Sequence, residues 1–196
     1  MNILNEQIIN TEQNKLFNKF TTLPYIPYNI ILELTKNDNI FKILKYSDYD
    51  CLSKPNLSLN DKIKMIWKNQ DNQEDYNIFL SRTMENMILE AKTILRIYKY
   101  DDIPVDCVKG LVTYEIDILY GDKIAMIDYN GVPCNRGDVL QTEILQTLNG
   151  CYVNGLISEL QYNRQMSRTS KGMTGLNMQN KYLGQSMILV GQISNL

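Results

Sequence analysis

The sequence predicts an α+β fold: a helical N-terminal part followed by a small, mainly antiparallel sheet covered by one amphipathic helix. Three observations predict it. Apolar residues recur at helical spacing through the first third of the chain. Between Gly110 and Tyr120 the period drops to two, with Val112, Tyr114, Ile116 and Ile118 alternating against Thr113, Glu115 and Asp117. From Gly137 to Leu148 a helical period returns, placing Val139, Leu140, Ile144, Leu145 and Leu148 on one face.

In chain order, residues 4–20 set Leu4, Ile8, Ile9, Leu16, Phe17 and Phe20 loosely in a strongly polar background. That suits a marginal helix, or an arm that orders on a partner. Pro24 and Pro27 make Thr21–Tyr28 an extended link turning into a helix with Pro27 near its first turn. Ile30, Ile31, Leu32 and Leu34 give that helix its apolar face. Asn37 or Asp38 caps a second short helix that buries Ile40, Phe41, Ile43 and Leu44. Ser58, with Asp61 three residues on, opens a third helix expected to run through Asn69 and to bury Ile63 and Ile66. The polar stretch Gln70–Asp75 then divides the chain into a helical segment, residues 1–70, and an α+β part, residues 71–196.

In the second part, Ile94–Tyr100 is rich in β-formers and is expected to stop at a turn, Asp101-Asp102-Ile103-Pro104. Ile124–Asp128 reads as a short return strand, and Asn130-Gly131 with Pro133 as a turn. Asn149-Gly150 closes the helix before it. Gly155–Asn163 and Ser186–Ile193 read as two more strands. The residues between them, 164–184, form a long polar loop containing Met166, Met173 and Met178. A connection of that length inside a compact domain usually has a function.

Composition narrows the chemistry. With 20 basic against 22 acidic residues, the net charge of −2 provides no global field for gripping nucleic acid. There is no histidine, which removes Ser-His-Asp triads, Cys-His pairs and His-ligated metals together. Cys51, Cys107, Cys134 and Cys151 show no short ligand spacing and read as reduced, half-buried thiols. The N-terminus lacks a signal-peptide pattern and no stretch is apolar for the length of a membrane span, so the expectation is a cytoplasm-made protein without a membrane partner.

The best catalytic suspicion is the carboxylate set Glu115, Asp117, Asp122 and Asp128. Glu115 and Asp117 lie two apart on a strand and share a face, as a Mg²⁺ site in a nuclease or processing enzyme requires. The usual strand pairing of an acid, one intervening residue and a lysine is absent, and the preferred reading is the solvated face of a half-buried strand. Arg164, Arg168 and Lys171 make a small basic run, suited to a nucleic-acid backbone or to acids on an adjacent subunit. Tyr98, Tyr100 and Tyr114 suit sheet packing better than a base-stacking platform. No glycine pattern supports nucleotide binding. No catalytic, cofactor-binding or metal-binding residue is therefore assigned.

The order of elements carries a resemblance. Leu95-Arg96-Ile97-Tyr98, Ile103-Pro104 and Lys109–Ile118 are followed by the helix Asp138–Gly150, then Gly155-Leu156-Ile157 and a final strand. This resembles the tail-terminator and neck proteins at the head–tail junction of tailed bacteriophages, over roughly residues 76–196. The resemblance implies a structural virion protein in a closed ring of identical subunits, lying between the portal or an adjacent neck protein and the tail tube protein. It implies packaged DNA passing through the channel without sequence-specific binding, and assembly in the host bacterial cytoplasm. The N-terminal helices depart from the small terminators, so adaptor, stopper and terminator roles each fit. Interface candidates are Ile8, Ile9, Phe17 and Phe20 in the arm, with Arg164, Met166, Arg168, Lys171, Met173 and Met178 in the loop. The alternatives are the Glu115/Asp117 enzyme and a host-directed accessory binder.

Overall fold

A long central strand organises the molecule: β3, Lys109–Gly121, pairs antiparallel with β2, Thr93–Pro104, on one side and with β7, Tyr182–Ser194, on the other. The computed structural model describes residues 23–68, 72–82, 91–105, 109–169 and 182–194. Two-residue strands finish the sheet. β1, Ile78–Phe79, runs parallel to β2, and β6, Gln161–Tyr162, runs antiparallel to β7, giving the order β1-β2-β3-β7-β6. β4, Met126–Tyr129, and β5, Val132–Asn135, form a separate hairpin. The architecture is α+β, with a mixed five-stranded sheet and a small antiparallel one.

The helices begin where their capping residues stand. α1, Ile26–Leu34, has Pro27 in its first turn, and α2, Asp38–Lys45, is capped by Asn37, whose side chain accepts from the Asn39 amide. α3, Leu59–Lys64, is capped by Ser58 Oγ on the Asp61 amide. It stops at Lys64, short of the expected Asn69, because Met65 O accepts from the amides of Asn77 and Ile78 and Ile66 bridges to Ile78. α4, Arg136–Leu148, covers the sheet as expected. One core joins it with α1, α2 and the β3 residues Val112, Tyr114, Ile116 and Ile118, spanning both sides of the polar stretch at 70–75. α5 is Arg164–Thr169.

Several sequence expectations are corrected. The turn expected at residues 101–104 is strand: a bulge between Lys99 and Asp101 lets β2 continue to Pro104, opposite Gly110. Pro133 lies in β5, and the turn consists of Asn130 and Gly131, both at positive φ. Of the strand expected at Gly155–Asn163 only Gln161 and Tyr162 pair as one. Its other backbone groups are shared out, with Ile157 N–H donating to Gln192 O and Leu160 N–H to Cys151 O. The 164–184 loop is shorter than expected, since its first six residues are α5 and β7 starts at Tyr182. Residues 170–181 lie outside the described residues, as does the expected arm, residues 4–20.

Arg136, the first residue of α4, is wholly buried, and its side chain is held by backbone carbonyls. Its Nε donates to Ile124 O at 2.7 Å. Nη1 donates to Ile43 O and Tyr46 O, both at 2.9 Å, and Nη2 to Ser47 O and Asp48 O, both at 3.1 Å. A planar fork with five N–H groups suits this set, and its charge sits favourably at the C-terminal end of α2. Burial lowers its pKa, yet an arginine keeps its proton. Next to it, Tyr120 OH donates to the α4 cap Asn135 at 2.8 Å, and Gly137 makes room for the ring: a Cβ there would stand 2.5 Å from Tyr120 Cε1.

Arg136→Met removes the donor for five carbonyls at once. It is expected to destabilise by roughly 4–5 kcal/mol, seen as a lower urea midpoint at unchanged slope. Arg136→Lys keeps the charge without the fork and is expected to recover only part of the loss; a wild-type midpoint for either variant contradicts the clamp.

Candidate functional site

Glu115 and Asp117 share a face of β3, as their spacing predicts, but that face is buried rather than solvated; Asp117 is 1% exposed. Register brings them opposite β2 and β7: Arg96 faces Asp117 and Tyr98 faces Glu115 on one side, Ser186 and Ile188 on the other. Arg96 Nη2 lies 2.6 Å from Asp117 Oδ2, to which Tyr98 OH also donates at 3.0 Å. Ser186 Oγ donates to Glu115 at 2.6 Å. Arg96 Nη1 reaches Arg82 O at 2.8 Å, tying the chain that follows β1 to the network. At the other end of the face, Phe79, Ile94 and Leu119 form a small apolar cluster against Trp67 and Tyr76.

The electrostatics follow from burial. Desolvation raises the Asp117 pKa and outweighs the opposing pull of Arg96. Desolvation, reinforced by Asp117 and Glu115, raises the Tyr98 pKa, so its hydroxyl keeps its proton and donates. Arg96 already occupies the position beside Asp117 that a cation would take. Among the described residues no three His, Cys, Asp or Glu side chains are placed to hold a metal ion. Asp122 and Asp128 stand elsewhere, Asp122 in a short 3-10 turn and Asp128 in the hairpin, where it accepts from the Gly131 amide. This face carries a buried polar network, suited to fixing the pairing of β2, β3 and β7.

The remaining candidates are dispersed. Arg164 is exposed and Met166 half-buried on α5; Arg168 is in the same helix, with its side chain outside the described residues. Lys171, Met173, Met178, Ile8, Ile9, Phe17 and Phe20 lie outside the described residues. Tyr98 and Tyr114 are buried on opposite faces of the sheet and Tyr100 is exposed, so they form no common stacking platform. A third buried carboxylate, Glu143 of α4, accepts from Asn37 Nδ2 at 2.8 Å, Asn39 Nδ2 at 3.1 Å and Tyr129 OH at 3.2 Å. It sits at the N-terminal end of α2, where the helix dipole favours a negative charge.

Among the described residues, two groups of exposed apolar side chains lie on separate elements. The first is the outer stripe of α1: Tyr25, Tyr28 and Leu32 recur at helical spacing and face solvent. A loop is tied alongside by Asn29 Nδ2 donating to Asn154 O at 2.8 Å and by the Cys151 thiol donating to Glu33 at 3.5 Å. Burial and the neighbouring Glu33 raise that thiol's pKa and keep it protonated. This loop adds Tyr152, 66% exposed, and Ile157, which bonds to the β7 side of the sheet. The second is the far end of β2, where Tyr100, Ile103 and Val105 are exposed. β1 pairs only with Leu95 and Arg96, so among the described residues the outer side of β2 from Ile97 to Pro104 has no strand partner. Sequence patterning missed both surfaces. The Tyr25, Tyr28, Leu32 spacing was a readable signal, but which face of α1 is buried depends on the sheet.

A family model described as YomW matches residues 37–190, from the cap of α2 into β7, and the chain belongs to this family of phage-associated proteins. No curated protein matches it. Among the described residues no helix is long and apolar enough to cross a membrane.

Arg96→Met strands a buried carboxylate and is expected to cost about 3–5 kcal/mol, whereas Arg96→Met with Asp117→Leu is expected to recover most of the loss. Equal losses in the single and double variants would show that Arg96 acts through packing alone. A carboxyl with a raised folded pKa favours the native state below its ordinary value of 3.8, and that contribution is lost as pH rises through the folded pKa. Stability measured just above pH 3.8 should therefore fall more steeply with rising pH in the wild type than in Asp117→Asn.

Proposed function

We propose that this YomW-family chain is a non-enzymatic structural subunit of a phage particle, forming part of the ring-shaped head–tail connector with copies of itself. One observation carries the reading: two different apolar surfaces, the α1 stripe with its loop and the end of β2 that has no strand partner among the described residues, lie on separate elements of the fold. A closed ring needs each subunit to present two unlike patches, one to each neighbour. An unpaired strand edge is a hazard on a free monomer and a ready contact in an assembly. The buried polar network supports the same reading, because the acidic pair that a nuclease would expose is used internally. Membership of a phage-associated family agrees with it.

In this role the ring joins the portal, or an adjacent neck protein, to the tail tube protein, and DNA passes through its channel. A nearly balanced charge suits passage, since strong phosphate binding would impede sliding. Arg164 and the residues named with it remain candidates for contacts between subunits.

Light scattering and negative-stain microscopy of the purified protein are expected to show a closed oligomer, and mass spectrometry of purified particles a fixed stoichiometry. Leu32→Glu and Ile103→Glu, each placing a charge in one of the two surfaces, are expected to weaken association by roughly thirtyfold or more while leaving monomer stability unchanged. A monomer at all concentrations, absent from particles, removes the connector reading and favours a host-directed accessory binder. Metal-dependent turnover lost in Asp117→Asn favours the enzyme.

A further inference from the structure

The chain contains three Asn-Gly steps, at Asn130, Asn149 and Asn154. Such a step is prone to cyclise. The glycine amide nitrogen attacks the asparagine Cγ, forming an N–Cγ bond. The side-chain nitrogen leaves as ammonia, taking up the amide proton. Water then opens the succinimide ring to aspartate or isoaspartate. Glycine permits this because it has no Cβ to crowd the ring and turns freely into the required conformation. The fold treats the three steps differently. At Asn149, both reacting groups are engaged: its Oδ1 accepts from the Tyr162 amide at 2.8 Å, and Gly150 N–H donates to Leu160 O at 2.7 Å. At Asn130 the nucleophile is engaged, since Gly131 N–H donates to Asp128 Oδ1 at 2.7 Å.

Asn154 differs on each count. It is exposed, in a turn closed by Leu156 N–H on Val153 O at 3.0 Å, with Gly155 at φ 99°. Neither its side chain nor Gly155 N–H takes part in any of the hydrogen bonds of the described residues. Its own carbonyl accepts from Asn29 Nδ2 at 2.8 Å, which withdraws electron density from the 154–155 peptide and makes the attacking N–H more acidic. We infer that Asn154 is a built-in site of spontaneous deamidation, converting to aspartate or isoaspartate while Asn130 and Asn149 are protected. Isoaspartate adds a methylene to the main chain at the point where the loop is tied to α1. Both products add a negative charge beside Tyr152 and Ile157. This chemistry is independent of the proposed function.

The full-length protein, incubated folded at mildly alkaline pH and digested at intervals, gives conversion at each site by peptide mass spectrometry. The Asn154 peptide is expected to convert roughly tenfold or more faster than the Asn149 peptide, since attack at 149 must first open two hydrogen bonds. The same chain in concentrated urea is the control: there the three peptides are expected to convert at similar rates. Equal rates in the folded protein, or Asn130 or Asn149 leading, overturn the inference. A ranking that persists unchanged in urea overturns it too, because local sequence would then be the cause.

Discussion

A buried guanidinium holds the structure at its busiest junction. Arg136 ends the β4–β5 hairpin and begins α4, and it binds carbonyls from the end of α2, the loop after it and the turn before β4. These groups have no continuing helix or strand to satisfy them, and an unpaired buried carbonyl is costly. One planar cation answers all five, so elements about ninety residues apart in sequence share one set of hydrogen bonds.

Everything around that junction depends on the same fit. Tyr120 and Asn135 fix where α4 starts, and Gly137 leaves room for the Tyr120 ring. With α4 placed, Glu143 reaches the N-terminal end of α2 and locks the two helices side by side. The result is a core in which α1, α2 and α4 share one face of the sheet. The other face is held by Arg96, Asp117, Tyr98, Glu115 and Ser186, a polar set whose directional bonds select one register among β2, β3 and β7. Among the described residues, groups of exposed apolar side chains lie on the outer side of α1 with its neighbouring loop and at the end of β2. The proposed assembly role draws on that distribution.

Much of this was written in local pattern. Period-two alternation set β3, helical spacing set α4, and Asn37, Ser58, Asn130-Gly131 and Asn149-Gly150 marked caps and turns that the structure contains. These signals are local because they rest on the backbone's own hydrogen bonds and φ preferences, within a few residues. The expected arm and most of the expected loop lie outside the described residues, so the sequence remains their only description.

The tertiary structure decided what alternation alone leaves open. Glu115 and Asp117 look like a solvated face or a metal site until Arg96 and Ser186 arrive from other strands and bury them. Arg136 reads as one more charge before a helix, and nothing nearby in sequence announces the carbonyls it binds. Leu32 looked like part of a buried face and lies outside, because the sheet chooses which side of α1 it covers. Short-range chemistry determined which residues become helix, strand or turn. Burial of charge, and the identity of the surfaces left bare, depended on contacts between segments far apart in the chain.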